Sequence, residues 1–216
     1  MDLNKLFHDL EKPRTLKEME EYYHLIYSIT EQSKELTELA RLKKGRYKKF
    51  LEEFYPLYCF SKSKYCKEAS RIKIVIGNQG YDAVVLFNDG AEEKYEITGY
   101  IDGEWDFLNA KELNKSGIGI VTVDWTKSIA DKQKNYFYKI MENVKNKAEK
   151  DYSGMNIIFV VNTYWHFEFF DCDSSNFISD LLNKIHNQGI IAKKVFLLRL
   201  RNQDIEEIDR NLFVVE

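Results

Sequence analysis

The sequence predicts an α/β fold, in which a mixed central β-sheet is flanked by helices and preceded by a helical segment. Three observations predict it. Apolar residues recur at three- and four-residue steps through residues 15–60, which is the period of an amphipathic helix. From residue 72 the period changes to alternation, which is typical of strands. After residue 104, stretches of helical and strand character follow one another, as expected for helices packed on a sheet.

Residues 1–60 are predicted to form the N-terminal helical segment, and residues 61–216 the α/β core, in one compact unit. Thr15 and Glu18 have the spacing of a capping box, which favours a helix start at this point. A break in the segment is expected near residues 31–33 or 43–46. Pro56 is expected to end it, because proline removes a helical hydrogen bond.

The core is predicted to begin with an antiparallel meander. Ile72, Ile74 and Ile76 alternate with polar residues, and residues 82–87 form a compact apolar stretch. Residues 88–90, Asn-Asp-Gly, have the chemistry of a hairpin turn, after which a third strand is expected. The further expected elements are a helix or loop at 104–116, a strand at 118–123, a helix at 127–151, a strand at 157–161, a helix at 174–187, and strands at 195–200 and 212–215.

Composition limits the classes of function. The chain has 216 residues, of which 44% are hydrophobic, so it can bury one substantial core. The net charge of −3 gives no overall basic field for coating nucleic acid, although local lysine clusters remain available. The three cysteines lack CxxC spacing, which favours a reducing, cytoplasmic location over structural zinc or disulfides. No apolar run approaches the length of a membrane span, so no membrane partner is expected.

Two carboxylates carry the main functional prediction. Asp82 opens one strand of the predicted hairpin, and Glu96 lies inside the next. Antiparallel pairing around the 88–90 turn brings Asp82 close to residues 95–97. A carboxylate in an apolar strand is costly unless it is paired or binds a cation. The pair therefore predicts an oxygen-rich site for Mg²⁺ or Mn²⁺.

This layout resembles the PD-(D/E)xK nuclease superfamily, in which an acidic residue at a strand start is followed by a hairpin and an acidic residue two before a lysine. The order of elements agrees over roughly residues 36–200. The resemblance implies a restriction-endonuclease-like fold and metal-dependent hydrolysis of nucleic-acid phosphodiester bonds, with Asp82 and Glu96 as metal ligands. It also implies DNA as the expected partner and a possible homodimer, since many such enzymes cut both strands as dimers.

The chain departs from the family pattern at Thr98, which stands where the lysine is expected. Threonine can hydrogen-bond a water molecule but brings no positive charge. Three interpretations remain open. A lysine from elsewhere replaces the missing one, with Lys147 and Lys150 as candidates; the chemistry runs on metal alone; or the site has lost catalysis and kept binding.

Other residues have weaker claims. Glu53 is the candidate for a further acidic ligand from the preceding helix, ahead of Glu52 and Glu38, although a solvated helix face is the more common fate of such residues. Gln79 could contact a water molecule or a phosphate, or could simply be a turn residue. The basic stretch at 43–49 could follow a phosphate backbone, but a solvated helix face is favoured for it as well.

Two alternatives to a nuclease stay open. The first is a catalytically inactive protein of the same fold, acting as a binding or interaction module in a bacterial defence or mobile-element system. The second is an α/β regulatory protein unrelated to nucleases. A separation of Asp82 and Glu96 above about 10 Å would favour this last interpretation, because ligands of one cation must all reach it.

Overall fold

The computed structural model describes residues 3–100, 103–119, 128–201 and 207–215. The predicted fold class is confirmed: a mixed six-stranded sheet is flanked by helices and preceded by a helical segment. The helices are α1 (Leu3–Leu6), α2 (Leu16–Glu31), α3 (Lys34–Arg41), α4 (Arg46–Lys49), α5 (Tyr55–Ser61), α6 (Gly103–Ser116), α7 (Ile129–Ala148) and α8 (Ser175–His186). The strands are β1 (Ala69–Ile74), β2 (Ala83–Phe87), β3 (Glu92–Gly99), β4 (Tyr152–Asn162), β5 (Ala192–Leu200) and β6 (Leu212–Val214).

The strands lie side by side in chain order. β1, β2 and β3 form the antiparallel meander that the alternation predicts, and β2 and β3 are joined by the 88–90 turn. β3, β4 and β5 are parallel to one another, and β6 returns antiparallel to β5. Gly90 has a φ of 87°, a left-handed conformation that glycine adopts without steric cost.

Each face of the sheet carries its own apolar core. The N-terminal helices pack on one face, where Phe60 contacts the rings of Tyr95 and Phe196. Helices α7 and α8 pack on the opposite face, against residues such as Ile157 and Leu197. Because side chains alternate along a strand, Glu96, between the buried Tyr95 and Ile97, points toward the α7 face.

The N-terminal segment follows most of the sequence-based expectations. The Thr15–Glu18 capping box is present, and the helix breaks at residues 32–33 and again before α4. The expectation that Pro56 ends the helix is wrong, because α5 continues to Ser61. A π-helical turn, Phe50–Phe54, precedes α5 and puts Pro56 in its first turn, where a missing N–H is tolerated.

The predicted elements of the core are largely found. The 104–116 segment is a helix, and the helix and strand predictions after residue 127 are all confirmed, with Gly189 in a left-handed conformation just beyond α8. The predicted strand at 118–123 falls mostly outside the described residues. Among the described helices, none has both the length and the apolar character needed to cross a bilayer.

Candidate metal centre

The hairpin brings Asp82 and Glu96 together. Ala83 pairs with Tyr95, so the register places Asp82 opposite Glu96 at the start of β2. The backbone N–H of Asp82 donates to the carbonyl of Tyr95 at 2.9 Å, and the Ile97 N–H donates to Asp82 Oδ2 at 3.0 Å. Opposed residues of an antiparallel pair have Cα atoms about 5 Å apart, so the two acids lie well within 10 Å.

Lys147 reaches Glu96 from α7, the helix that packs on the face of the sheet opposite the N-terminal helices. It lies in the last turn of α7, and its Nζ donates to Glu96 Oε1. The two side chains are only 20% and 14% exposed, so this ion pair is largely shielded from solvent. Helix α7 thus places Lys147 beside Glu96, the acidic residue two positions before Thr98.

Burial and charge act against each other in this pair. Burial raises the pKa of Glu96, the bond to Lys147 opposes that rise, and the nearby charge of Asp82 adds to it. Burial alone would lower the pKa of Lys147, but the hydrogen bond and charge of Glu96 outweigh it and raise that pKa. Lys147 therefore keeps its proton and its positive charge.

Glu53 approaches the same site from the N-terminal helices. It lies in the π turn, a local geometry found often at functional sites, and this turn packs against β3. Lys49 Nζ donates to Glu53 Oε1, while Glu53 Oε2 is buried and has no hydrogen-bond partner. Burial raises the pKa of Glu53 to about 7, with the charge of Asp82 adding to the rise against the opposing effect of Lys49.

The remaining predicted residues lie nearby but are engaged in local contacts. Thr98 Oγ1 donates to Asn143 Oδ1 at 3.3 Å, and Asn143 in turn donates to the carbonyl of Gly99, which fastens α7 to β3. The Gln79 amide donates to the carbonyls of Val75 and Tyr81, so it braces its own turn. These bonds agree with the structural interpretation of Gln79.

Two neighbours of the site, Lys49 and Tyr152, are not predicted from the sequence to be functional residues. Lys49 was counted only within the basic stretch, although its spacing of four residues from Glu53 is the signal of a helical ion pair. Tyr152 opens β4, and its hydroxyl interacts with Lys147; burial raises its pKa despite the opposing charge of that lysine. Nothing in the sequence points to Tyr152, because only the packing of β4 beside α7 brings it there.

The basic stretch at 43–49 is largely used within the fold. Lys43 Nζ lies 2.9 Å from Asp106 Oδ2 on α6 and 3.4 Å from Glu52 Oε1 in the π turn. Arg46 donates to the carbonyl of Phe7. These cations hold helices together more than they present charge to a ligand.

The carboxylate oxygens near this site are suitable ligands for a hard divalent cation such as Mg²⁺. Two of these carboxylates, however, are already hydrogen-bonded to lysine ammonium groups. Asp82, Glu96 and Glu53 supply carboxylate oxygens, and the orphaned Glu53 Oε2 is an acceptor without a donor. Within the described part of the chain, no three His, Cys, Asp or Glu side chains are grouped closely enough to hold a metal ion. Lys49 and Lys147 occupy oxygens of Glu53 and Glu96 instead, so a cation must compete with them.

Comparison with known proteins adds no assignment to this geometry. No protein-family model matches the sequence, and no curated protein or solved structure is significantly similar to it.

Proposed function

We propose that the protein is a nuclease that hydrolyses nucleic-acid phosphodiester bonds with Mg²⁺ or Mn²⁺ held by Asp82 and Glu96. The observation that carries this proposal is the Lys147–Glu96 ion pair. A nuclease site of this type needs a cation beside its second acid, and Thr98 cannot supply one. In this proposal Lys147 of α7 would supply it from a different position in the chain, in line with the first of the three interpretations of Thr98.

The residues present fit the metal in their chemistry. Asp82 and Glu96 would hold it. Glu53 lies near Asp82 but is not grouped with both acids closely enough to act as a third ligand. When bound, the ion would polarise the phosphate and lower the pKa of the attacking water. The competition with Lys147 predicts that metal binds more weakly than at a preformed site of unpaired carboxylates.

The chain's own residues have distinct roles in this proposal. Lys147, which keeps its proton, would stabilise the negative charge that develops on the phosphate. Glu53, with a pKa of about 7, is suited to exchanging a proton near neutral pH. Thr98 and Asn143 would hold α7 at the distance that Lys147 requires. DNA is the proposed substrate, a homodimer the proposed assembly for cutting both strands, and the cytoplasm the proposed location.

The test is cleavage of DNA and RNA in Mg²⁺ or Mn²⁺ by the unmodified protein and by Asp82→Ala and Glu96→Ala. Asp89→Asn, in the exposed hairpin turn, is the control, because an asparagine keeps the oxygen that accepts a bond from the Ala91 N–H. We expect cleavage that both site variants lose and the control keeps. Cleavage unchanged in Asp82→Ala and Glu96→Ala would refute the proposal.

A specific observation also favours a second candidate, an inactive nuclease-fold module that binds nucleic acid or a protein partner. Glu53 and Glu96 are each neutralised by a lysine, as expected of a site whose charges now serve the fold. This candidate predicts binding without cleavage in either metal. Robust metal-dependent cleavage by the purified protein would eliminate it.

A further inference from the structure

A cleft of about 380 Å³ lies between α3 and the C-terminal end of α6, and neither Asp82 nor Glu96 lines it. Such a volume falls within the range of small-ligand pockets, about 300–1,000 Å³. Its walls come from one face of α3 and from the last turn of α6 together with Gly117. The lining residues that matter here are Lys34, Glu38, Arg41, Asn114 and Lys115.

The cleft is basic, although the chain as a whole is acidic. Lys34, Arg41 and Lys115 bring three cations to it, against the single carboxylate of Glu38. Glu38 Oε1 lies 3.9 Å from Lys34 Nζ, which is a loose contact on an exposed helix face and neutralises the lysine only weakly. The cleft therefore has a positive local charge although the chain has a net charge of −3, and this local charge favours an anionic ligand.

Arg41 is held by a neutral partner, and no carboxylate in the described ranges forms an ion pair with it. Its guanidinium donates to the neutral amide oxygen of Asn114 at 3.2 Å, and Asn114 donates in turn to the backbone carbonyl of Glu38 at 3.1 Å. This chain of bonds links the guanidinium on α3 to α6 through a neutral side chain. A positioned guanidinium is the group that best matches the oxygens of a phosphate.

Ion pairs link the helices that form the cleft to the π turn, which packs against β3. Lys43, just beyond α3, bonds to Asp106 on α6 and to Glu52 in the π turn that carries Glu53.

We propose that this cleft binds a backbone phosphate of the nucleic-acid strand, at a nucleotide other than those that flank the bond at Asp82 and Glu96. The inference rests on the proposed function, which it deepens by naming a second contact with the substrate. The lysine and arginine side chains of the cleft would supply local positive charge for binding a polyanion, which the chain, with its negative net charge, otherwise lacks.

The experiment measures binding of a labelled DNA duplex in EDTA, as a function of salt, so that no cleavage intervenes. The cleft variant carries Lys34→Gln, Arg41→Gln and Lys115→Gln. The matched control removes three exposed lysines elsewhere, in Lys5→Gln, Lys67→Gln and Lys184→Gln, so that net charge changes equally. Thermal melting of both variants checks that each is folded.

We expect the cleft variant to bind about tenfold more weakly than the control, with the slope of log K against log salt reduced by about 1. Equal DNA binding by the two variants would refute phosphate binding by the cleft and would leave the nuclease proposal unaffected. No DNA binding by the unmodified protein would overturn the cleft proposal, while the nuclease proposal is decided separately by the cleavage assay in Mg²⁺ or Mn²⁺. If ATP binds the unmodified protein, the cleft variant loses that binding, and duplex binding is unaffected, the cleft is a free-nucleotide site and the proposal is overturned.

Discussion

Glu96 is a partly buried carboxylate between the buried Tyr95 and Ile97 of β3, and its surroundings explain how the fold tolerates it. Burial raises the pKa of Glu96, which favours the neutral carboxyl group. Lys147 opposes that rise with a hydrogen bond and a positive charge. Each member of such a pair lowers the desolvation cost of the other, so removing one leaves the other uncompensated. The pair is therefore a stability element as well as a candidate catalytic one.

Lys147→Met is expected to lower the free energy of unfolding by about 1–3 kcal/mol, because the shielded carboxylate of Glu96 loses its partner. Adding Glu96→Gln should restore part of this loss, since no buried charge then remains. A double-mutant cycle by urea denaturation measures the coupling. Lys145→Met, an exposed neighbour on the same helix, should have little effect. Strictly additive effects of the Lys147 and Glu96 substitutions would contradict the pairing.

Glu53 makes stability depend on pH in an unusual direction. Its pKa in the folded protein, about 7, lies above the usual value of 4.5, so the folded state binds a proton that the unfolded state has released between these values. This contribution to stability is fully present below about pH 4.5 and is lost as pH rises through 7. A shift of this size corresponds to at most about 3 kcal/mol.

Glu53→Gln should therefore gain stability relative to the unmodified protein as pH rises from 5 to 8, by about 1–3 kcal/mol. Urea denaturation at several pH values measures the difference between the two proteins. Glu52→Gln, in the same π turn, controls for the loss of a carboxylate. Parallel curves for Glu53→Gln and the unmodified protein across this range would show that Glu53 is ionised throughout.

At the scale of the elements, β3 is the strand on which the site depends, and its end is closely packed. A Cβ added at Gly99 would lie 2.8 Å from the carbonyl oxygen of Val160 on β4, and backbone cannot move aside cheaply. By contrast, a Cβ at Gly80 would meet nothing within 4 Å. The close approach of β3 to β4 at this point keeps Gly99 beside Asn143 and hence α7 over the sheet.

Gly99→Ala should cost about 1–3 kcal/mol of unfolding free energy, because the new methyl group forces β3 and β4 apart. Gly80→Ala should be nearly neutral. Thermal denaturation of the two variants side by side checks the difference. Equal melting temperatures would mean that the strand ends have room to adjust.

The hairpin was predictable because its signals are local. Alternation of Ile72 and Ile74 and the turn chemistry of residues 88–90 fix the register that opposes Asp82 and Glu96. Lys147 could be named as a replacement for the missing lysine, ahead of Lys150, but its bond to Glu96 could not be predicted, since that contact depends on how α7 lies on the sheet. Tyr152 and Asn143 reach the site only through that packing, which no local pattern encodes.

The one clear error at this scale has a local cause as well. A proline in an α-helix removes a hydrogen bond and crowds the preceding turn, so Pro56 was expected to end the helix. The π turn before it widens the helical path, and helical periodicity read at 3.6 residues does not reveal such a turn. The same turn carries Glu53, which the sequence could only place on a helix face.

At the scale of the whole molecule, the N-terminal helices form part of the core on one face of the sheet. Phe54 and Phe60 are almost fully buried in the same cluster as Tyr95 and Ile97 of β3. Removing these helices would expose that entire face, at a cost of several kcal/mol for each large side chain. The helical segment and the sheet should therefore fold as one unit.

A chain of residues 61–216 alone should accordingly fail to fold, whereas the full chain should unfold in a single cooperative transition. Far-ultraviolet circular dichroism and the dispersion of an amide NMR spectrum measure both. A well-dispersed spectrum from residues 61–216 would show that the sheet and its α7–α8 face suffice for folding.

The central claim is that Asp82 and Glu96 bind a divalent cation in competition with Lys147. The most direct measurement is Mn²⁺ binding, followed by electron paramagnetic resonance, to the unmodified protein, Asp82→Asn, Lys147→Met and the Asp89→Asn control. We predict saturable binding that Asp82→Asn loses, Asp89→Asn keeps and Lys147→Met tightens. Binding that is absent, or that is unchanged in Asp82→Asn, would contradict the claim.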